Sequence, residues 1–335
     1  MKKLSMMLIS ILVIGGLLVA CNENDGNNSA NKDKADITVG TSPMGSGWYT
    51  FSISLGDYWM DDIEGSNVNV QEGGSIANLR GVNEGKDLNV GWAYTPDLND
   101  AFNNSGAFEN EDNPLDNVKV IALNYPSFLQ IFTTANKDFK NGEDFLGSKV
   151  HAGDQGTGQE LAFQRYLKAY DITYEDIEDS GGTVSFGNYE DGGTQLQDGN
   201  VDVAIGSGAP DVSGIQSIEN QVDIKVEPIE QNILDELHEE YSYSNDLPLP
   251  SGVYKDQDEE IDTIGYQSVI IINKDLSEDI VYELTKSLWE NIESLSEEHP
   301  SRGKYFDIET AIEDVDEDDV HPGALKYYKE QGVIE

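Results

Sequence analysis

Three glycine-rich loops hold the residues of this sequence that are best suited to bind a ligand. Each loop follows a strand-like stretch, precedes a helix-like stretch and contains a hydroxyl side chain: Ser46, Ser75 and Thr157. The first turn of a helix leaves backbone N–H groups unpaired, and its peptide dipoles add partial positive charge. Such a loop can hold a carboxylate or a phosphate without a basic side chain. One loop alone is as typical of an ordinary helix cap, but three of one kind predict a shared anion site.

A catalytic interpretation has only scattered residues to support it. The four histidines lie far apart, the His238 segment lacks the second histidine of an H-E-x-x-H zinc motif, and no G-x-S-x-G hydrolase motif is present. A nucleophile and its base could still assemble in space from Ser46 or Ser207 with His151. A surface-anchored hydrolase with this Ser/His site is therefore the alternative to a binding protein. An adhesion or structural lipoprotein is a third class, and we expect no enzymatic activity.

Motifs for nucleotide cofactors and metal ions are incomplete in this sequence. Residues 40–45 have the glycine spacing of a P-loop, but residues 46–47 lack the required lysine and Ser/Thr. The acidic run at 314–319 resembles the start of a calcium loop, yet Asp319 stands where glycine is required and Leu325 where glutamate is required. We therefore expect no cofactor and no bound metal.

The N-terminus has the layout of an export signal. Two lysines precede an apolar run at residues 6–20, and Cys21 follows in a stretch that resembles the lipobox of bacterial lipoproteins. The run is shorter than the roughly 20 residues that span a bilayer, which disfavours an uncleaved anchor; a plainly secreted chain is the other alternative. We predict a signal peptide at 1–20 and a lipidated tether at 21–35. Acyl chains on Cys21 then make the protein extracytoplasmic and lipid-anchored to the cell membrane.

The charge balance excludes one class of partner. The chain has 64 acidic and 20 basic side chains, a net charge of -44 at pH 7, which would repel a phosphate backbone. We therefore expect no nucleic acid partner. The acids are spread along the chain, as is typical of a surface suited to high salt or alkaline surroundings. With 38% hydrophobic residues, four tryptophans and sixteen tyrosines, the chain is expected to fold, and it is long enough for two domains.

The order of elements predicts an α/β protein built from two similar halves. A strand, a glycine loop and a helix follow one another at residues 35–60, 68–80 and 149–170. Buried-type strands follow at 85–94 and 199–210. Ligands of such sheets lie outside the carboxyl ends of the strands, so we expect a cleft between the halves that is walled by these loops. An amphipathic helix is predicted at 277–295 and another helix at the C-terminus.

Several of these segments also carry a family resemblance. They are residues 39–41 with 48–49, then 73–80, 153–160, 206–210 and 321–330. Taken in this order, they resemble the signatures of the TAXI family, the TRAP-associated extracytoplasmic solute-binding proteins. The match extends over most of residues 36–332. The sequence departs from the family pattern at Gly47, Thr157 and Gln159, which lie in the loops expected to hold the ligand.

The resemblance implies the architecture and the role. It implies two Rossmann-like α/β domains joined by a hinge, in the periplasmic-binding-protein type II architecture. Domain 1 would comprise residues 36–124 with 271–335, and domain 2 residues 125–270. The domains would close on a small anionic solute, an acidic amino acid or a dicarboxylate or other organic acid, and deliver it to a TRAP-type membrane permease. We expect the protein to act as a monomer.

Candidate site residues come from the loops and from aromatic side chains near them. Hydroxyl and amide groups are expected to hydrogen-bond the solute, and aromatic rings to pack on its apolar part, although about half of the aromatics should fill the core. Arg80 is more typical of an exposed or structural arginine, and His321 is predicted to cap or orient the last helix. The candidate ligand-binding residues are Thr41, Ser46, Trp48, Tyr49, Gly74, Ser75, Asn78, Trp92, Tyr94, Tyr125, Thr157, Gly158, Gln159, Ser207, Gly208 and Tyr254.

Overall fold

The structure is a computed structural model that describes residues 35–44, 46–210, 212–241, 244–246 and 248–334. Cys21, the predicted signal peptide at 1–20 and all but the last residue of the predicted tether at 21–35 lie outside these residues. Among the described helices, none combines the length and apolar character needed to cross a bilayer.

The described residues form strands and helices in alternation. The strands are β1 (Asp36–Gly40), β2 (Asn67–Gln71), β3 (Val90–Tyr94), β4 (Val118–Thr134), β5 (Lys149–His151), β6 (Thr183–Ser185), β7 (Val203–Gly208), β8 (Ile224–Glu227), β9 (Ser244–Asp246) and β10 (Ile264–Asn273). The helices are α1 (Gly47–Asp62), α2 (Ser75–Glu84), α3 (Thr95–Asn103), α4 (Gly158–Lys168), α5 (Tyr174–Asp179), α6 (Tyr189–Gln197), α7 (Ser213–Gln216), α8 (Gln231–Glu240), α9 (Glu278–Glu290), α10 (Ile292–Glu298), α11 (Pro300–Gly303) and α12 (Pro322–Gln331). Short 3-10 helices cover Gly106–Phe108, Gly142–Phe145, Ile308–Thr310 and Glu317–Asp319.

All the strands belong to one sheet with the order β2-β1-β3-β10-β4-β7-β5-β6, in which β8 pairs with β4 and β9 with β10. Strands β2, β1 and β3 are parallel, and so are β7, β5 and β6. Between these two parallel groups lie β10 and β4, which run antiparallel to each other and to their neighbours. The predicted α/β fold is thus confirmed. Helices follow the parallel strands, so the first turns of several helices lie near the carboxyl ends of those strands.

Strand β4 runs through the middle of the molecule. Its first part pairs with β10, and its last part pairs with β7 and β8. The domain boundary expected between residues 124 and 125 lies inside this strand, and the boundary expected between residues 270 and 271 lies inside β10. Both strands are almost wholly buried, as is typical of strands that are covered on both faces.

The hydrophobic core consists of two clusters of buried side chains. A large cluster of buried side chains covers β1, β3, β10 and the helices α1, α9 and α12, and it continues under α4. A smaller cluster, which includes Phe132, Leu196 and Val226, lies where α6 and α7 cover β4, β7 and β8. Residues in these clusters recur at helical spacing on one helix face, so burial of that face fixes each helix against the sheet.

The C-terminal helices pack on the first half of the chain. The indole of Trp59 in α1 donates to the carbonyl of Leu284 in α9 at 3.0 Å. Tyr328 in α12 accepts a hydrogen bond from Trp289 at 3.0 Å and donates to the carbonyl of Ile121 in β4 at 2.8 Å. The last helix is therefore tied to α9 and to the start of β4.

Two predictions about the C-terminal helices have different outcomes. His321 caps α12, because its Nδ1 accepts from the N–H of Gly323 at 3.1 Å, so the predicted capping role is confirmed. The predicted single helix at 277–295 is wrong, since the chain forms α9 and α10 with a break at Asn291. The Asn291 amide donates to the carbonyl of Ser287 and to the carboxylate of Asp62, and such side-chain bonds compete with the regular helix ladder.

Candidate ligand-binding site

Four helices begin at the walls of one narrow cleft. Their N-cap residues are Ser46 for α1, Gly74 for α2, Thr157 for α4 and Asn188 for α6. Three of these side chains cap their own helix: Ser46 accepts from the N–H of Tyr49, Thr157 from that of Glu160 and Asn188 from that of Asp191. A helix leaves further first-turn N–H groups unpaired and carries partial positive charge at this end. The four N-termini therefore favour an anion in the space between them.

That space consists of two small neighbouring cavities, which we call the cleft. The first cavity has a volume of about 30 Å³, and its lining residues are Ser42, Pro43, Trp48, Gly74, Tyr94, Asp154, Thr157, Gly158, Gln159, Asn188 and Tyr189. The second has a volume of about 20 Å³, and its lining residues are Ser42, Ser46, Gly47, Trp48, Tyr94, Tyr125, Ser127, Tyr189, Ser207, Gly208 and Ala209. The cavities share Ser42, Trp48, Tyr94 and Tyr189 as common walls. Each has room for little more than one or two water molecules.

Most of the predicted ligand-binding residues lie around this cleft. Those that line one or both cavities are Ser46, Trp48, Gly74, Tyr94, Tyr125, Thr157, Gly158, Gln159, Ser207 and Gly208. They come from segments that are far apart in sequence, so the fold brings the predicted loops together. Their contact with a ligand stays a prediction.

Hydrogen bonds fix the polar side chains of the cleft. The hydroxyls of Tyr94 and Ser207 lie 3.3 Å apart, and the Tyr189 hydroxyl donates to the carbonyl of Ser207. The indole of Trp48 donates to Ser268 at 3.0 Å. Ser42 and Ser46 bond each other through their hydroxyls, and the Gln159 amide donates to the carbonyl of Ile205. These contacts hold the aromatic walls in place.

Asn78 and its neighbours lie behind the cleft and not in its lining. The amide of Asn78 donates to the carbonyls of Thr41 and Trp92 at 2.7 and 2.8 Å, which ties α2 to the ends of β1 and β3. A side chain on Gly40 or Gly73 would collide with this amide, whose Oδ1 lies 2.5 and 2.3 Å from the Cβ positions. The two glycines therefore make room for a structural asparagine.

The other predicted site residues outside the lining also have partners within the protein. The Ser75 hydroxyl accepts from the N–H of Tyr94 at 3.1 Å, and the Trp92 indole donates to Ser52 at 2.7 Å. The Thr41 hydroxyl donates to the carbonyl of Gln71 at 2.7 Å. Tyr254 donates to Gln130 at 2.7 Å and packs in the smaller core cluster. Tyr49 likewise lies outside the lining of both cavities.

Sequence reasoning missed several residues of the cleft lining. Asp154 and Ser42 lie inside loops that were recognised, but no motif singled them out. Asn188 and Tyr189 open α6, whose loop has no Gly-Ser signature. One signal was present: an Asn followed three residues later by Asp191 is typical of a helix start, and a helix start after a parallel strand faces the ligand edge of the sheet.

The electrostatic character of the cleft comes from backbone and not from basic side chains. Among the described residues that line the two cavities there is no lysine or arginine, and Asp154 is the one with a charged side chain. Burial raises the pKa of the Asp154 carboxyl. Burial also raises the pKa of Tyr94 and of Tyr189, so both phenols stay neutral and can donate hydrogen bonds.

The Ser/His pair of the hydrolase alternative is not assembled. His151 is buried, and neither of its ring nitrogens has a hydrogen-bond partner among the described residues. Burial lowers its pKa. The candidate nucleophiles Ser46 and Ser207 bond to Ser42 and Tyr94 instead. For metals, the described residues hold no group of three or more His, Cys, Asp or Glu side chains that could bind an ion.

A buried ion pair lies beside the cleft, between α3 and α4. Arg165 donates to Asp97 at 2.5 Å and to Asp100 at 3.2 Å. The Arg165 and Asp97 side chains are 8% and 0% exposed. Burial lowers the pKa of Arg165, but the charge of Asp97, its hydrogen bond and the neighbouring Tyr266 together raise the pKa above its usual value. The rings of Tyr241 and Tyr266 lie 4.9 and 5.8 Å from the guanidinium carbon. The Arg165–Asp97 pair is therefore largely buried.

Two parallel groups of strands flanking an antiparallel pair, with helix N-termini at one edge, define the periplasmic-binding-protein type II fold. Solved structures with this fold are similar to the chain. One, reported for glutathione import in Gram-positive bacteria via GshT and the cystine ABC importer TcyBC of Streptococcus mutans, has a TM-score of 0.50 and 14% identity, covering 82% of this chain and 98% of the other. Another, a Xanthomonas citri protein bound to ATP, has a TM-score of 0.51 and 9% identity, covering 90% and 100%. At the level of sequence, residues 39–332 match the NMT1-like family, so the chain belongs to it.

Proposed function

We propose that this protein is the extracytoplasmic solute-binding receptor of a TRAP-type secondary transporter. It would capture a small anionic solute, an acidic amino acid or a dicarboxylate or other organic acid, and deliver it to a membrane permease. The observation that carries the proposal is the convergence of four helix N-termini on one cleft whose lining has no lysine or arginine. Such a cleft binds a carboxylate through backbone N–H groups and hydroxyls.

The TRAP assignment rests on the sequence resemblance to the TAXI family, and the general role has further support. The chain belongs to the NMT1-like family, and a neighbour in fold is reported for solute import in bacteria. The type II fold binds its ligands at the carboxyl ends of the strands, which is where this cleft lies. The predicted lipid anchor on Cys21 would keep a monomeric receptor close to its permease.

Opening and closing of two domains would give the solute access. In this proposal residues 36–124 with 271–335 move against residues 125–270, and β4 and β10 form the hinge. The contacts that would separate are those between the loops of the two halves. A Cβ on Gly74 would lie 3.4 Å from the Thr157 Cα, and the ring of Tyr94 lies against Gly158. The Arg165 ion pair with Asp97 also joins the two parts.

The residues proposed to contact the solute are those of the lining. Ser46 and Thr157 would offer hydroxyls beside the first turns of α1 and α4, and Trp48, Tyr94 and Tyr189 would pack on its apolar part. No cofactor takes part in this function.

A thermal-shift panel of organic acids and amino acids at high salt tests the proposal. We expect at least one small acid to raise the melting temperature of the full-length protein, because a ligand that binds only the folded state stabilises it. X-ray scattering with that acid should show a smaller radius of gyration if the domains close. A panel without any shift, or turnover of a generic ester by the purified protein, would contradict the receptor assignment.

A further inference from the structure

The end of the cleft formed by the first cavity is acidic. Asp154 lines this cavity and is part-buried. Asp191 lies close to it: the N–H of Gly187 bonds the carbonyl of Gly153, next to Asp154, and the Asp191 Oδ2 lies 3.0 Å from the Cβ position of Gly187. Burial raises the pKa of the Asp154 carboxyl. We call Asp154, Glu72 and Asp191 the acid end. Glu72 accepts from the N–H of Met44 at 2.6 Å, which places it at the loop that contains Pro43.

The end formed by the second cavity has the opposite character. Its lining includes Gly47, the first residue of α1, and Tyr125. The guanidinium of Arg302 lies 5.7 Å from the centre of the Tyr125 ring. A Cβ on Gly47 would be only 2.7 Å from the Arg302 Nε, so this side chain lies directly against the start of the helix. The Nε atom is buried and without a hydrogen-bond partner among the described residues. We call Gly47 and Arg302 the basic end.

Neither end is neutralised by the protein. The ion pairs among the described residues include neither Asp154 nor Arg302. A cationic group on the solute would be favoured at the acid end, because Asp154 has no ion-pair partner among the described residues. The described residues offer no arrangement for a metal ion there or elsewhere. A second carboxylate on the solute would meet Asp154, whereas an ammonium group would pair with it.

Resting on the proposed function, we infer that the cleft selects solutes that carry a protonated amine as well as a carboxylate. The amine lies on Asp154, and the carboxylate lies at the first turn of α1 beside Arg302. Asp154 is thus the residue that distinguishes amino acids from dicarboxylates and hydroxy acids. Arg302 is a positioning residue that acts through the backbone of Gly47.

The walls between the two ends suit the same solute. Trp48, Tyr94 and Tyr189 line both cavities, so a bound molecule would pass along their rings from one end to the other. Aromatic faces attract ammonium groups, most strongly where water is excluded. Aromatic faces give a second carboxylate no such attraction.

Calorimetry with matched acids tests the inference on the full-length protein in mild detergent. Each set shares one carbon skeleton and differs at one position, which carries an amine, a hydroxyl or a hydrogen. Suitable sets are aspartate, malate and succinate; alanine, lactate and propanoate; and longer homologues. In the set that fits best, we expect the amine to bind at least about tenfold more tightly than the hydroxy acid.

The outcomes separate this inference from the proposed function. If a hydroxy acid or an unsubstituted acid binds as tightly as its amine, the receptor proposal stands and the selection of amines is wrong. If no member of any set binds, both are wrong.

Two variants that each remove one carboxylate charge test whether Asp154 is the residue that selects solutes with an amine. Asp154→Asn should bring the amine and hydroxyl members to within about threefold of each other. The matched control Glu190→Gln removes an exposed carboxylate from the first turn of α6, outside the lining, and should keep the full preference. Arg302→Gln should weaken the amine, hydroxyl and hydrogen members by the same factor, because all three carry the carboxylate. A preference that survives in Asp154→Asn would overturn the assignment to this residue.

Discussion

Two regions of the molecule treat positive charge in opposite ways. Between α3 and α4, the buried guanidinium of Arg165 pairs with Asp97 and Asp100. In the cleft, four helix N-termini face a cavity lining without lysine or arginine and with one part-buried carboxylate, Asp154. In the first region each charge has a partner of opposite sign within the protein, so removal of one partner would leave the other buried and uncompensated. The second region lines a cavity with helix N-termini and hydroxyl groups, so the partial positive charge of these N-termini is available to a solute.

The largest effect is expected where the ion pair is broken. Arg165→Met leaves the Asp97 carboxylate buried without its cation, and the free energy of unfolding should fall by about 3–5 kcal/mol. Urea denaturation would measure it. The matched control is Arg80→Met, because Arg80 pairs with Glu111 at the surface, where the side chains are 45% and 35% exposed. That change should cost less than about 1 kcal/mol. Equal losses would show that the enclosed pair is no different from an exposed one.

The next effect is expected at the glycines of the cleft. A Cβ on Gly158 would lie 2.1 Å from the ring of Tyr94, which lines both cavities. Gly158→Ala should therefore push the ring aside and weaken solute binding by roughly 1–3 kcal/mol. The Cβ in Gly81→Ala, inside α2 and outside the lining of both cavities, would meet the Leu88 Cβ at 3.3 Å, so this control should bind normally. Calorimetry with the best acid of the panel compares the two. Normal binding by Gly158→Ala would remove Tyr94 from the site.

A smaller effect on solute binding is expected when a threonine that caps a helix in the cleft is compared with one that caps a helix elsewhere. Thr157 and Thr173 both cap a helix through their hydroxyls, α4 and α5 respectively. Replacing either by alanine should cost about 1 kcal/mol of unfolding free energy. Thr157→Ala should also weaken solute binding, since its hydroxyl lines the first cavity, while Thr173→Ala should not. Denaturation and calorimetry on the same samples decide this. If both variants bind alike, Thr157 serves only as a cap.

The smallest effect is expected on stability when the Asp154 carboxylate is removed. This change should stabilise the protein, whereas loss of Arg165 should destabilise it. Burial raises the pKa of Asp154 above 3.8, so its contribution to stability is full below pH 3.8 and is lost as the pH rises through the folded value. Asp154→Asn should therefore stabilise the free protein at neutral pH. The gain should disappear below about pH 3.8. Melting temperatures across this pH range provide the measurement, and a loss of stability at pH 7 would show that Asp154 has a partner.

The sequence was sufficient to predict most of the fold and the loops that form the cleft. Strand, glycine loop and helix in repeated order indicate parallel α/β units, and the helices α1, α2 and α4 begin within one residue of the predicted loops. The register of β4 with both β10 and β7 was not predictable, because pairing between distant strands leaves no local signal. The break at Asn291 was missed for a similar reason. Its partner Asp62 is far away in the chain.

The individual side chains of the site were harder to predict than the loops. Ser75 and Asn78 follow Gly74 at the start of α2, yet of these three residues only Gly74 lines a cavity. An amide or hydroxyl at a helix start can hydrogen-bond a ligand or the protein backbone equally well. Here Asn78 bonds the carbonyls at the ends of two strands. Asp154 was not predictable from the anion-binding character of its loop, because a carboxylate does not bind anions.

The small volumes of the two cavities, about 30 and 20 Å³, limit when a solute can enter or leave the cleft. Ligand pockets generally measure several hundred Å³, so no amino acid or organic acid can pass between walls this close. Entry and exit must then wait for the walls to separate. In the proposed receptor, the lifetime of a bound solute would be set by how often the two domains separate, and the contacts inside the cleft would matter through that frequency. A permease that bound the open form would stabilise it, and so would shorten this lifetime without contacting the solute.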